Sequence, residues 1–351
     1  MGPITRRGAT LITALALVTG CGGGADKTNT AATSPPGAPR AQDVGPRLEQ
    51  DYERVVKAVL PSVVQIDTDA GLGSGVVYDN RGDIVTNSHV VAGANRLTVT
   101  TATGKKAIPA TLVGEYAPDD LAVVRVNGAS LRPARFGDSS RLTVGKIVLA
   151  MGNPLGLSGS VTSGIVSALG RTVSSAREGA FPGATIAGAV QTSAPINPGN
   201  SGGALVTLEN EVIGIPALAA SDPQIGGAAA GIGFAIPSNT VKLIVDQLIK
   251  SGRVTNSGRA ALGVTVRDVA DLSGNVVGVG VVTVTKDGPA ERAGIRPNDI
   301  IVSVGGTKTP NTSDVTDVIA GLKPGETVPV VVQHPDGSRS TVKITLGELP
   351  G

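Results

Sequence analysis

Tryptophan is absent from this chain, and phenylalanine and tyrosine number three each. Any core must therefore be built from Val, Ile, Leu and Ala. Cysteine occurs once, at Cys21, which excludes an intrachain disulfide. Histidine occurs twice, at His89 and His334. With one cysteine, two histidines are too few for the usual metal centres, and nothing points to an organic cofactor. Net charge is only +2 and the 30 basic residues are scattered, so neither nucleic-acid binding nor a membrane-binding face is implied.

What is abundant is glycine, 49 of 351 residues, which favours many turns and β architecture over helical bundles. The length allows two or three domains with real cores. At the N-terminus, Arg6 and Arg7 precede an apolar run from Ala9 to Val18. That run is too short to span a bilayer and of the right length for a secretory signal. The arginine pair fits an ordinary basic region or a twin-arginine signal. The run ends in Val18-Thr19-Gly20-Cys21, which resembles the bacterial lipoprotein processing box. This resemblance implies a signal peptide at 1–21, a lipid on Cys21 and an exported lipoprotein on the outer face of the cell membrane, or in the periplasm. A plain signal peptide with an incidental cysteine is the bland alternative. Residues 22–47 are low-complexity Gly/Pro/Ala/Thr sequence with nothing to bury, and read as a flexible tether.

Leu48, Tyr52, Val55, Val56 and Val59 then recur at helical spacing up to Pro61. Short β-like runs follow: Ser62–Asp67, Gly75–Tyr78, Ile84–Thr86, Arg96–Thr100, Leu121–Val126, Lys146–Ala150, Gly164–Leu169 and Glu211–Ile215. Without helices between them, they predict antiparallel barrels or sandwiches. A second helix is expected from Ser238 or Asn239 as cap to Gly252 as stop, with Val241, Ile244, Val245 and Leu248 on its apolar face.

The stretch Ala194-Pro195-Ile196-Asn197-Pro198-Gly199-Asn200-Ser201-Gly202-Gly203-Ala204-Leu205 places one serine among glycines. Such a turn exposes the hydroxyl and lets backbone N–H groups approach a reacting oxygen. A nucleophilic serine needs a base and a group to orient it. His334, in Gln333-His334-Pro335-Asp336-Gly337, reads as an exposed hairpin turn without partners. That leaves His89, at the end of the run Ile84-Val85-Thr86-Asn87-Ser88-His89. Asp119 and Asp120 both precede the strand Leu121–Val126. Asp120 adjoins it and can turn inward to an imidazole, whereas Asp119 would fall at the solvent edge.

The order His89, Asp120, Ser201 is that of chymotrypsin-fold proteases. With Gly73-Ser74-Gly75-Val76-Val77, Met151-Gly152-Asn153-Pro154-Leu155-Gly156, Val161-Thr162-Ser163-Gly164-Ile165-Val166-Ser167 and Gly231-Ile232-Gly233-Phe234-Ala235-Ile236-Pro237, the chain resembles the HtrA/Deg family of trypsin-like serine proteases over roughly 48–349. The resemblance implies a mostly β protein, a chymotrypsin-like double β-barrel over 48–252. It selects Asp120 as the orienting acid, Gly199 and Ser201 N–H as the oxyanion hole, and backbone near Gly231, Ile232 and Gly233 as the substrate's pairing edge. Ile196 falls in the primary pocket, so small or medium apolar side chains are expected before the cut. Ser88, Ser193 and Pro195 depart from the family pattern, and Arg171 to Ala189 matches its regulatory loop by position only.

After a linker at 253–258, residues 259–349 read as a small α+β PDZ domain. Ala261-Leu262-Gly263-Val264 resembles the carboxylate-binding loop, where a peptide C-terminus binds and extends the sheet. Gly288-Pro289 to Gly294-Ile295 reads as a short helix, Val315, Val318, Ile319 and Leu322 as a second, and Val328–Gln333 with Ser340–Leu346 as a hairpin. The partners implied are unfolded or misfolded proteins, peptide C-termini and a lipid anchor. A homotrimer is one option, with only Tyr52 as an aromatic near the N-terminal contact. The expected function is extracytoplasmic endopeptidase. The alternatives are a chaperone-like client binder on the same fold, or an adaptor working through the PDZ domain.

Overall fold

The computed structural model describes residues 44–349, except 70, 103, 105, 154–158, 176–177, 198, 223–226 and 271–275. The chain divides into two units, 1–45 and 46–351. The residues read as a signal peptide, Cys21 and most of the stretch read as a tether lie outside the described residues.

Helix α1 (Val44–Val59) begins inside the stretch read as tether, about a turn before Leu48. Six strands follow: β1 (Val63–Thr68), β2 (Leu72–Val77), β3 (Asp83–Thr86), β4 (Leu97–Thr101), β5 (Ile108–Tyr116) and β6 (Leu121–Val126). They close an antiparallel barrel in the order β1-β2-β3-β6-β5-β4. A second barrel uses β7 (Ile147–Gly152), β8 (Ser160–Ser174), β9 (Thr185–Thr192), β10 (Ala204–Thr207), β11 (Val212–Asp222) and β12 (Gly227–Pro237), in the order β10-β11-β12-β9-β8-β7.

Side chains alternate across a strand, so each barrel strand presents two faces. Val64, Ile66, Ile84, Ala122 and Val124 fill the first barrel, and Val148, Ala150, Val190 and Leu205 the second. The opposite faces are also apolar. Val63, Val85, Leu121 and Val123 meet Leu149, Met151 and Val206 in a shared core, which α1 and a later helix help to cover. This double burial is why several strands read as continuous apolar runs. Each sequence-predicted strand falls on an observed one. β5, β9 and β12 are not evident from the sequence, because Pro109, Gly114, Gly188 and Gly231 interrupt their pattern.

A one-turn helix, α2 (Ser88–Val91), follows β3, and α3 (Ser238–Ser251) follows β12. Neither expected residue caps α3. Pro237 is at the N-cap, Ser238 Oγ donates to the Gly137 carbonyl, and Asn239 Nδ2 donates to Asp138. Gly252 does end the helix, at φ 70°.

The last part of the chain holds β13 (Ala260–Ala261), β14 (Val264–Ala270), β15 (Val276–Val284), α4 (Pro289–Arg292), β16 (Ile300–Val304), β17 (Thr307–Lys308), α5 (Thr312–Ala320), β18 (Thr327–Gln333), β19 (Arg339–Thr345) and β20 (Gly347–Glu348). Its sheet runs β14-β15-β16-β18-β19, with β13 paired to β20 apart from it. The core is Val, Ile, Leu and Ala, including Val279, Ile301, Val330 and Ile344. The segment 253–258, read as a linker, is packed: Val254 is buried, and Ser257 Oγ donates to the Leu349 carbonyl. His334 is half-buried rather than a free turn residue. Its Nδ1 lies 2.8 Å from Asp299 Oδ1 and its Nε2 2.8 Å from Ser340 Oγ. Tyr52 is partly buried and packs against the shared core.

Candidate active site

His89 sits on α2, directly after β3, at the seam between the barrels. Its backbone N–H donates to Asp120 Oδ1 (3.0 Å) and its Nδ1 lies 2.8 Å from Asp120 Oδ2. Both carboxylate oxygens thus address one residue. If Nδ1 carries the proton, Nε2 presents a lone pair and can act as a base. Asp120 is 1% exposed and has φ 54°, a left-handed conformation unusual outside glycine. Asn87 Nδ2 holds its carbonyl at 3.0 Å. Ser88 Oγ donates to Glu115, so the departure at 88 keeps a polar partner.

Asp119 is not at a solvent edge. It is buried, and Arg259 Nη1 donates to it at 3.1 Å and to the Pro118 carbonyl at 2.7 Å. Burial pushes the Asp119 carboxyl up to about 6, with Arg259 pulling the other way.

Ser201 follows a tight turn closed by Asn200 N–H to the Asn197 carbonyl (3.0 Å). Gly199, third in that turn, has φ 102°, a sign that favours glycine there. Gly202 has φ 80°, and a Cβ there would lie 2.2 Å from the Ser74 carbonyl oxygen, so only glycine fits. Among the described residues, the N–H groups of Gly199 and Ser201 have no acceptor, and no hydrogen bond joins Ser201 to His89.

Ile196 is buried, and a Cβ at Gly233 would fall 2.4 Å from its Cγ1. The segments 194–196 and 231–233 therefore lie wall to wall, with Ile232 partly exposed and Gly231 at φ 72°. Ser193 Oγ accepts from Ile165 N–H (3.0 Å), and the Pro195 carbonyl accepts from Thr162 Oγ1 (2.8 Å). Both departures in this stretch are absorbed by contacts to β8.

Two neighbours of the site escape sequence reasoning. Phe181, in the β8–β9 loop, is buried edge-on against the His89 ring at 5.8 Å between centroids. The only signal was an aromatic in a loop of small and polar residues. Ser74, within Gly73-Ser74-Gly75, bonds directly to the Ser201 turn.

In the last part of the chain, Ala261, Leu262, Gly263 and Val264 line a groove of about 310 Å³ with Val266, Val315 and Ile319. Gly263 has φ 74°, and the N–H groups of Leu262 and Gly263 have no acceptor among the described residues.

Two closed antiparallel barrels meeting at a His–Asp pair and a glycine-bounded serine define a trypsin-like peptidase, here followed by a peptide-binding fold. The model of the trypsin-like peptidase domain matches residues 73–215, and that of the PDZ domain residues 260–346. Serine protease PepD of Mycobacterium tuberculosis (strain ATCC 25618 / H37Rv) is 39% identical over 345 residues, covering 91% of this chain and 72% of that protein. Serine endoprotease DegS of Escherichia coli (strain K12) is 38% identical over 312 residues, covering 87% and 84%. A solved HtrA-type protease, AlgW with a decapeptide, superposes with a TM-score of 0.57 at 30% identity, over 86% of this chain and 99% of that one. The chain belongs to the HtrA family: it is a serine-type endopeptidase with one PDZ domain.

Proposed function

We propose that Ser201 is the nucleophile, His89 the general base and Asp120 the group that orients it. The observation that carries this reading is the pair of contacts at the barrel seam in which Asp120 accepts from the His89 N–H and faces its Nδ1. Ser201 Oγ attacks the scissile carbonyl as its proton passes to His89 Nε2, giving a tetrahedral oxyanion. The N–H groups of Gly199 and Ser201 receive that oxyanion, and their lack of other acceptors supports the role. Collapse expels the amine with the proton from His89, and water then hydrolyses the acyl-enzyme by the same relay. Hydrogen bonds of this kind often close only when substrate binds, which accommodates the open Ser201–His89 pair.

Ile196 against Gly231, Ile232 and Gly233 forms the primary pocket, with no acid to hold a basic side chain. Small apolar residues are preferred before the cut; profiling that found strong cleavage after Arg would overturn this. Ala261, Leu262, Gly263 and Val264 bind peptide C-termini, recruiting substrate or regulating cleavage. The domain plan is a signal peptide at 1–21, a tether from 22 that gives way to α1 at Val44, the protease up to 252, a connection at 253–258 and the PDZ domain at 259–349. Cys21 carries lipid, and the enzyme acts outside the cytoplasm on unfolded or damaged proteins.

A fluorophosphonate probe tests the core of this. Wild type should label and Ser201→Ala should not. Absence of wild-type labelling, with or without a C-terminal peptide, would sink the catalytic assignment and leave the client-binding alternative. Casein cleavage with and without that peptide reads PDZ control. Loss of palmitate label in Cys21→Ser, with wild type labelled, tests the anchor.

A further inference from the structure

We infer that Ser74 is a positioning residue, which holds the Ser201 turn in register with His89 across the barrel seam. The inference rests on the reading of Ser201 as nucleophile and Gly199 as oxyanion donor.

Ser74 lies in β2 of the first barrel and is fully buried. Four hydrogen bonds meet at this one residue, two donated and two accepted. Its N–H donates to the Ser201 carbonyl at 2.9 Å. Its Oγ donates to the Gly199 carbonyl at 2.5 Å and accepts from Asn153 N–H at 2.8 Å. Its own carbonyl accepts from Thr86 Oγ1 at 2.7 Å. Three of the four partners belong to the second barrel. The fourth, Thr86, ends the strand that leads into the helix carrying His89.

The geometry gives these bonds a specific consequence. The Gly199 carbonyl belongs to the peptide before Asn200, and the Ser201 carbonyl to the peptide after Ser201. Between them lies the peptide whose N–H is that of Ser201. Ser74 grips the carbonyl on each side of it, so the donor and the attached Ser201 side chain have little freedom to rotate. Gly199 and Gly202, both at positive φ, give this turn little stiffness of its own.

The surroundings deny any substitute. Asn153 is fully buried and Gly199 is buried, so loss of the Ser74 hydroxyl strands an acceptor and a donor away from water. The neighbouring glycines serve the close approach. A Cβ at Gly73 would lie 2.7 Å from Val90, and one at Gly75 2.6 Å from Ile84. The hydroxyl is thus set between two positions where the strand is pressed against the helix of His89 and the first barrel's core.

The test is Ser74→Ala in the full chain, compared with wild type and Ser201→Ala. A misplaced reacting group can cost about 100-fold, so kcat on a peptide substrate should fall about 10- to 100-fold. KM should stay within about threefold, because the pocket and pairing edge are untouched, and the fluorophosphonate labelling rate should fall in parallel with kcat. Unchanged kcat and labelling rate in a folded Ser74→Ala would overturn the inference. So would a loss confined to KM. If Ser74→Ala does not fold, Ser74→Cys, near in volume and a weak donor, is judged by the same readings. Failure of wild type itself to label would instead remove the assignment of Ser201, and this inference with it.

Discussion

Asp120 stands in the left-handed region and uses both carboxylate oxygens on His89. An amide at that position can accept from only one side, and its NH₂ would face either the His89 N–H or the ring. Asp120→Asn should therefore favour the wrong imidazole tautomer and lower kcat by about 10⁴-fold. Asparagine tolerates left-handed backbone, so the melting temperature should move little. Kinetics and thermal unfolding of the purified variant check both halves. One residue earlier, Asp119 makes a different kind of prediction. Its folded pKa, raised by burial to about 6, exceeds the ordinary carboxylate value. Its contribution to stability is therefore fullest below about pH 4 and declines as pH rises through about 6. Asp119→Asn should flatten that part of the stability profile, measured by melting temperature between pH 4 and 8. An unchanged profile would show that this carboxyl does not titrate as described.

The β8–β9 loop reaches His89 through Phe181, whose N–H and carbonyl are both paired with Glu178. The hairpin tip is seated close to α2: a Cβ at Gly93 would lie 2.8 Å from Ala180 Cβ. Phe181 thus bears on the imidazole from a braced support. An aromatic contact is worth about 0.5–1.5 kcal/mol beyond area, so Phe181→Ala should reduce kcat/KM by about 2- to 12-fold. A rise in activity would mean that Phe181 obstructs the site rather than steadying it. Peptide-substrate kinetics separates the two.

Across the whole molecule, Arg259 joins the PDZ domain to the protease. It bonds to Asp119 and Pro118, and it also lines the PDZ groove. Removing one member of a buried pair leaves the other charge uncompensated. Arg259→Ala should cost about 3 kcal/mol in unfolding stability at neutral pH. The cost should shrink below about pH 5, where Asp119 is protonated. Denaturant unfolding at pH 5 and pH 7.5 reads the difference.

Much of this protein is written locally. Two histidines and a glycine-bounded serine restrict the choice of relay, and the spacing of β runs without helices excludes most other folds. Period-two and helical patterns are properties of neighbours in the chain, so a linear reading can find them. It finds them least where Gly and Pro blur the pattern, as in β12 and β5. Contacts between distant residues leave no such trace. Ser74 meets Gly199 across 125 positions, Arg259 meets Asp119 across 140, and His334 meets Asp299 across 35. Ser74 is an ordinary strand serine and Asp119 an ordinary turn acid until closure of the barrels removes water from around them. The sequence by itself determined which groups could do the chemistry. Tertiary structure decided which groups hold them still, because burial and direction arise only when the two barrels and the PDZ domain are packed.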